Sequence, residues 1–142
     1  MKRFKLLAND QSGQAILEFA LSMPFLLAFI LFIVDCGLFA FSYVSLTNSV
    51  REGARCAAVG GTQAAVEARV EDTYGGTGVP LTDTLVYNPG TPEVGGSVSV
   101  SADLEYEWIT PVGLVPGIDS TTNFVKAATM RLETATIAKT SC

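Results

Sequence analysis

From Ala15 to Val34 the chain is apolar at almost every position, and Glu18 is the only charge in the run. About twenty such residues make a helix long enough to cross a hydrocarbon core of roughly 30 Å. A core helix of that length in a soluble protein would keep a polar face, and this stretch has none. The pattern therefore predicts a membrane-spanning helix. Past residue 37 the spacing changes. Phe39, Tyr43, Leu46, Val50, Gly53 and Ala57 recur at steps of three and four, an apolar stripe with Ser42, Ser45, Ser49 and Glu52 mainly off it. The helix should continue along this stripe and stop at Gly60-Gly61, where glycine ends helices readily.

Shorter elements follow. Thr62 can cap a second helix from Gln63 to Tyr74, with Val66 and Val70 on one side. GGTGVP reads as a loop, Thr84 to Asn88 as a short strand, and NPGTPEVGG as a turn-rich connection. Val98, Val100, Ala102, Leu104, Tyr106 and Trp108 then alternate with Ser99, Ser101, Asp103, Glu105 and Glu107. Strict alternation is the mark of a half-buried strand, here with an acidic, solvated outer face. ITPVGLVPGIDSTTN is a loop with apolar residues that could form a contact surface. A last strand is expected from about Phe124 to Ile137. The fold class is α+β: a long N-terminal transmembrane helix, a short second helix and a small antiparallel β-sheet.

Charge orients the chain. Lys2, Arg3 and Lys5 precede Gly13 against Asp10 alone, and basic flanks mark the cytoplasmic side. The N-terminus should lie inside and the chain beyond Asp35 outside. Without its first thirteen residues the chain has six Lys/Arg and thirteen Asp/Glu, a net charge of −7. So acidic an exported part argues against nucleic-acid binding, which needs a basic face. Cys36, Cys56 and Cys142 match no zinc or haem spacing. In an oxidising compartment a Cys56–Cys142 bridge would tie down the C-terminus. The alternatives are three free thiols, or an intermolecular bridge through Cys36. There is no histidine, P-loop, nucleotide fingerprint or metal-ligand cluster, so no enzyme activity, cofactor or metal is expected. Arg55 could lower the Cys56 pKa, but no histidine base can accompany that thiol.

Glu18 remains to be explained. A cleaved signal peptide would have a shorter apolar core and a small-residue cleavage site. Asp35 stands where a lipoprotein signal needs a small residue. An uncleaved anchor explains the length and the basic flank but not the acid. Gly13, then Gln14-Ala15-Ile16-Leu17-Glu18, then Phe19, resembles a type IV prepilin processing site. A prepilin peptidase would cut between Gly13 and Gln14, removing the basic leader and leaving Glu18 as the fifth mature residue. The stretch from Gly13 to Ala58 further resembles the TadE-like family, pseudopilins of the tight-adherence (Tad/Flp) pilus system. The resemblance rests on Gly13, Glu18-Phe19, Pro24, Asp35 with Gly37, and Arg51-Glu52-Gly53-Ala54-Arg55. Ala127 to Glu133 is similar to the family's final strand. The chain departs from the family at Cys36, where an aromatic residue is common, and at Leu38, where arginine is.

Physical roles can be set beside that resemblance. Gln14 to Asp35 spans about 31 Å as helix, one hydrocarbon thickness. Asp35 should then mark the outer membrane interface and need no buried partner. Glu18 shares a helix face with Gln14, whose α-amine is freed by cleavage. A carboxylate one turn into lipid is costly unless paired or neutralised. The resemblance implies that the N-terminal amine of a neighbouring subunit pairs with it during assembly; a snorkelling glutamate is the alternative. Pro24 cannot donate to the carbonyl one turn earlier, so a kink or local loosening is expected there. Gly53-Ala54 forms a small notch flanked by Arg51, Glu52 and Arg55, suited equally to the domain's own sheet or to another subunit.

The resulting organisation is a basic prepilin leader at 1–13, a transmembrane helix at 14–36, its extramembrane continuation at 37–60 and an exported α+β domain at 61–142. The resemblance implies a minor pilin in the bacterial inner membrane, N-terminus cytoplasmic and C-terminal domain periplasmic, available for incorporation into an extracellular pilus. The partners it implies are a prepilin peptidase, other pseudopilins, the major pilin, an inner-membrane assembly platform and the lipid bilayer. The alternative is an uncleaved bitopic protein with an extracytoplasmic binding domain.

Overall fold

The computed structural model describes residues 11–75, 79–86, 92–110, 117 and 119–142. The leader expected at 1–13 lies largely outside them, as does most of the loop beginning at Ile109. The element order is α1 (Gln11–Ala58), α2 (Gln63–Tyr74), β1 (Leu81–Val86), β2 (Ser97–Glu107) and β3 (Thr121–Arg131). The strands form one antiparallel sheet in the order β1-β2-β3. This is an α+β fold.

The 48-residue α1 divides at Asp35. Every residue from Gly13 to Val34 is exposed, whereas from Asp35 onward one side of the helix is covered. The bare part contains Pro24 and runs through it as continuous helix. Ser22 Oγ donates to the carbonyls of Glu18 and Phe19 just before that proline. In the covered part the core comprises Leu46, Val50, Ala54 and Ala57 of α1, Val66 and Val70 of α2, and Val98, Val100, Ala102 and Leu104 of β2.

The covered side keeps most of the apolar stripe, burying Leu46, Val50, Gly53 and Ala57, and departs from it at Tyr43 and at two serines. Tyr43 is exposed, while Ser42 and Ser49 are fully buried. Asp35, Phe39, Ser42, Leu46, Ser49, Gly53 and Cys56 advance by alternate steps of four and three along the covered side. Small residues recur on that line because other elements press closely against it. A hydroxyl is tolerated there when satisfied locally: Ser49 Oγ donates to the Leu46 carbonyl at 2.9 Å.

α1 ends in a Schellman motif. Gly60 takes a positive φ of 87°, its N–H reaching the Ala57 carbonyl and that of Gly61 the Cys56 carbonyl. Thr62 then caps α2, accepting from the Ala65 N–H. β2 is buried at Val98, Val100, Ala102, Leu104 and Tyr106, in alternation with its exposed or half-buried face. Glu105 and Glu107 face water, whereas Asp103 is half-buried.

Two strand boundaries differ from the sequence expectation. β1 starts earlier, at Leu81, because Leu81 pairs with Leu104 and packs against the core. β3 begins at Thr121 and stops at Arg131, matching β2 end for end, Thr121 opposite Glu107 and Arg131 opposite Ser97. Leu132 then turns into the core, and the rest of the chain becomes a strap over the end of α1. Glu133 N–H bonds the Ala58 carbonyl, and those of Ala138 and Lys139 bond the Gly60 carbonyl. The strap thereby pairs carbonyls that a helix end leaves without intrahelical partners. Thr62 N–H returns a bond to Lys139, and Cys56 is joined to Cys142 by a disulfide.

Candidate functional site

Three regions carry the residues singled out in the sequence. The first is the start of the bare helix. Gly13 lies on open surface, where an added Cβ would touch nothing within 4 Å. Packing therefore imposes no requirement for glycine at this position. Gln14 Nε2 donates to Glu18 Oε1 at 3.2 Å, one turn along, and the carboxylate is otherwise on exposed helix surface. Phe19 is exposed beside it. Gly13, Gln14, Glu18 and Phe19 thus share one accessible stretch of the helix.

The second region is the junction at Asp35. Contrary to the expectation that it needs no buried partner, Asp35 is 1% exposed. Its Oδ1 accepts the Tyr106 hydroxyl at 2.7 Å, and its Oδ2 accepts the Thr110 N–H at 2.8 Å and the Thr110 hydroxyl at 2.7 Å. A buried carboxylate is sustained by such donors, since leaving it unpaired would cost several kcal/mol, on the order of a lost ionic hydrogen bond or more. Burial, and then the Asp35 carboxylate that it donates to, push the Tyr106 hydroxyl well above the usual tyrosine range. It stays protonated and remains a donor.

One turn further, Phe39 stacks on Trp108 with centroids 5.3 Å apart and meets Tyr106 and Phe124 edge-on, each at 5.4 Å. Tyr43 tilts against Phe124, and the Lys126 ammonium lies 4.0 Å from the centroid of the Tyr43 ring. Trp108 Nε1 donates to Thr122 Oγ1. A polar clamp and an aromatic cluster therefore fix the lower end of the sheet to α1 where the bare helix begins. Asp35 could be recognised as an acid at the end of an apolar run. Its partners could not, because Tyr106 and Thr110 lie more than seventy residues away in sequence.

The third region is the Arg51–Arg55 stretch. Gly53 and Ala54 are buried, and Arg51 and Arg55 are exposed. A Cβ on Gly53 would collide with Val70 Cγ2 and lie in contact with Val100 and Val66. Within the chain the notch therefore receives α2 and β2. Glu52 bridges the two helices, 3.1 Å from Arg55 and 3.7 Å from Arg69, and Arg69 reaches Asp72 at 3.8 Å. These pairs are solvent-exposed, and such contacts contribute little to stability. The flanking arginines remain on the surface. Cys36 is a free, half-buried thiol next to the Asp35 clamp.

Among the described residues, one helix is long and apolar enough to cross a membrane. No curated protein and no solved structure matches the chain. A family match covers residues 13–55, and the family is described as TadE-like protein. The matched segment begins at the exposed glycine, includes Glu18, Pro24 and the Asp35 junction, and ends at Arg55. Over this segment the chain is similar to the TadE-like family.

Proposed function

We propose that the protein is a minor pilin or pseudopilin of a Tad-type pilus, cleaved by a prepilin peptidase after Gly13 and acting in assembly through its N-terminal helix. The observation that carries this reading is the bare half of α1. It is exposed on all sides from Gly13 to Val34, and Glu18 is its only acid before Asp35. Such a surface is stable in lipid or against other apolar helices. A glycine free of packing constraints at its inner end suits a peptidase that requires one. Glu18, within reach of the Gln14 side chain, stands where a neighbouring N-terminal amine could replace that neutral partner.

In this reading the chain enters the inner membrane with its leader in the cytoplasm and its sheet domain in the periplasm. Cleavage exposes the Gln14 amine. Lateral packing with other pseudopilins, the major pilin or the assembly platform buries apolar helix surface, and Glu18 sets the register. The test is the N-terminal sequence of protein isolated from cells carrying the peptidase. A mature start at Gln14 that is lost in Gly13→Val supports the reading. An intact Met1 in the wild type refutes it.

A further inference from the structure

Beyond Asp35 the sheet domain covers one side of α1 and leaves the opposite side bare. On the bare side Gly37, Phe41, Val44, Asn48, Arg51 and Arg55 follow one another at alternate steps of four and three, and all six are exposed. That spacing is the seam along which two helices pack side by side. Its lower half is apolar, with Phe41 57% and Val44 56% exposed. Phe41 and Val44 lie about 9 Å and about 14 Å past Asp35 along the helix. The headgroup layer adds only about 5–7 Å to the hydrocarbon. With Asp35 at the outer end of the span, lipid therefore leaves both side chains uncovered. At Gly37 an added Cβ would meet nothing within 4 Å. Glycine weakens a helix interior, and no close contact within the chain accounts for it here. A small residue at that point lets a second helix approach closely.

The upper half of the seam is basic. Arg51 makes no ion pair among the described residues, and the Arg55 side chain stays 69% exposed beside Glu52. No acid stands on the line from Gly37 to Arg55. Glu52, at its flank, is already engaged by Arg55 and Arg69. A second copy laid seam to seam therefore brings a free carboxylate to neither arginine, whatever its stagger. In register it would set Arg51 against Arg51 and Arg55 against Arg55, and facing like charges oppose association. An antiparallel copy would need the opposite membrane orientation.

We infer that the bare side of α1 from Gly37 to Arg55 is a docking seam for one helix of a different subunit, apolar level with Phe41 and Val44 and carrying carboxylates level with Arg51 and Arg55. The two helices run parallel, so that both spans stay in one bilayer. The apolar half supplies contact area outside the lipid. The arginines supply selectivity, favouring an acidic partner and rejecting a second copy of this chain. This inference rests on the reading of the chain as a pilus subunit that assembles through its helix, and it names the chemistry of the partner in that contact.

The test places the photo-crosslinking residue benzoylphenylalanine at Val44 of the full chain, in cells that make the pilus. The adduct is sized and its crosslinked peptide sequenced. The expected adduct joins a different protein, through a peptide with Asp or Glu about seven to eleven residues beyond the crosslinked position, the separation of Arg51 and Arg55 from Val44. Arg51→Glu should lower its yield several-fold, Arg51→Lys should preserve it, and changing the partner's acid to lysine should restore it in Arg51→Glu. A product of twice the chain's mass, no product, a peptide without such acids, or full yield in Arg51→Glu overturns the inference. The N-terminal sequence of the same protein reads the underlying assignment separately. A start at Gln14 with any of those failures overturns the seam alone, whereas an intact Met1 overturns the pilin reading itself.

Discussion

Asp35 on α1 and Tyr106 on β2, 71 positions apart in sequence, are joined by a 2.7 Å hydrogen bond in the buried junction between the bare and covered halves of the helix. The bond sets where the sheet domain begins, and Thr110 completes the clamp from the next turn of chain. Removing the carboxylate leaves both Thr110 donors without their acceptor and the Tyr106 hydroxyl with only the Asp35 main-chain carbonyl, 3.2 Å away. Asp35→Ala should therefore destabilise the domain by about 3 kcal/mol, and Tyr106→Phe by about 1.5 kcal/mol. The double variant should lose less than the sum, because both changes break one bond. Denaturant unfolding followed through Trp108, the only tryptophan, measures all three.

Gly53 lies where α2 and β2 close on α1. Gly53→Ala puts a methyl group against Val70 Cγ2 and should cost about 2 kcal/mol. Adding Val70→Ala should relieve the collision, so that the second change costs less in the Gly53→Ala background than in the wild type. Unfolding midpoints of the four proteins give this coupling directly.

The Cys56–Cys142 bridge closes a loop with a sequence separation of 86. Constraining so long a loop in the unfolded chain is worth about 2–4 kcal/mol. Cys142→Ser should lose about that much. It should also raise hydrogen exchange at the Thr62 and Lys139 amides, which the strap ties to the end of α1. Proteolysis should begin in residues 133–142 before it reaches the sheet.

Glu18→Ala separates folding from assembly. The exposed side chain bonds Gln14 and no other described residue, so the unfolding midpoint should stay within experimental scatter. Cleavage after Gly13 should persist if the peptidase reads the glycine, while co-purification with partner pilins falls. A variant that is processed and folded yet still assembles at the wild-type level would remove Glu18 from the proposed mechanism.

Much of the fold is legible along the chain. The limits of α2, its Thr62 cap and the alternation of β2 follow from local signals, since capping and period-two patterning depend on neighbours a few residues apart. The covered side of α1 is less legible. Hydrophobicity favours Tyr43 over Ser42, but close approach of the other elements favours small side chains, and Ser42 and Ser49 lie inside. The end of β3 is similarly hidden: residues beyond Arg131 are compatible with a strand, yet β2 offers no partner past Ser97.

The sequence by itself determined a long apolar helix, a basic flank before it, an acid early in the apolar run, a glycine stop and one amphipathic strand. Each follows from periodicity, length or charge within a short window. Only the tertiary structure decided that Asp35 is buried, that the Arg51–Arg55 notch is filled by α2 and β2, and that the last ten residues form a strap over the end of α1. Those outcomes depend on donors and surfaces brought from distant parts of the chain. A buried carboxylate is stable only where such donors converge, and no local pattern records that convergence.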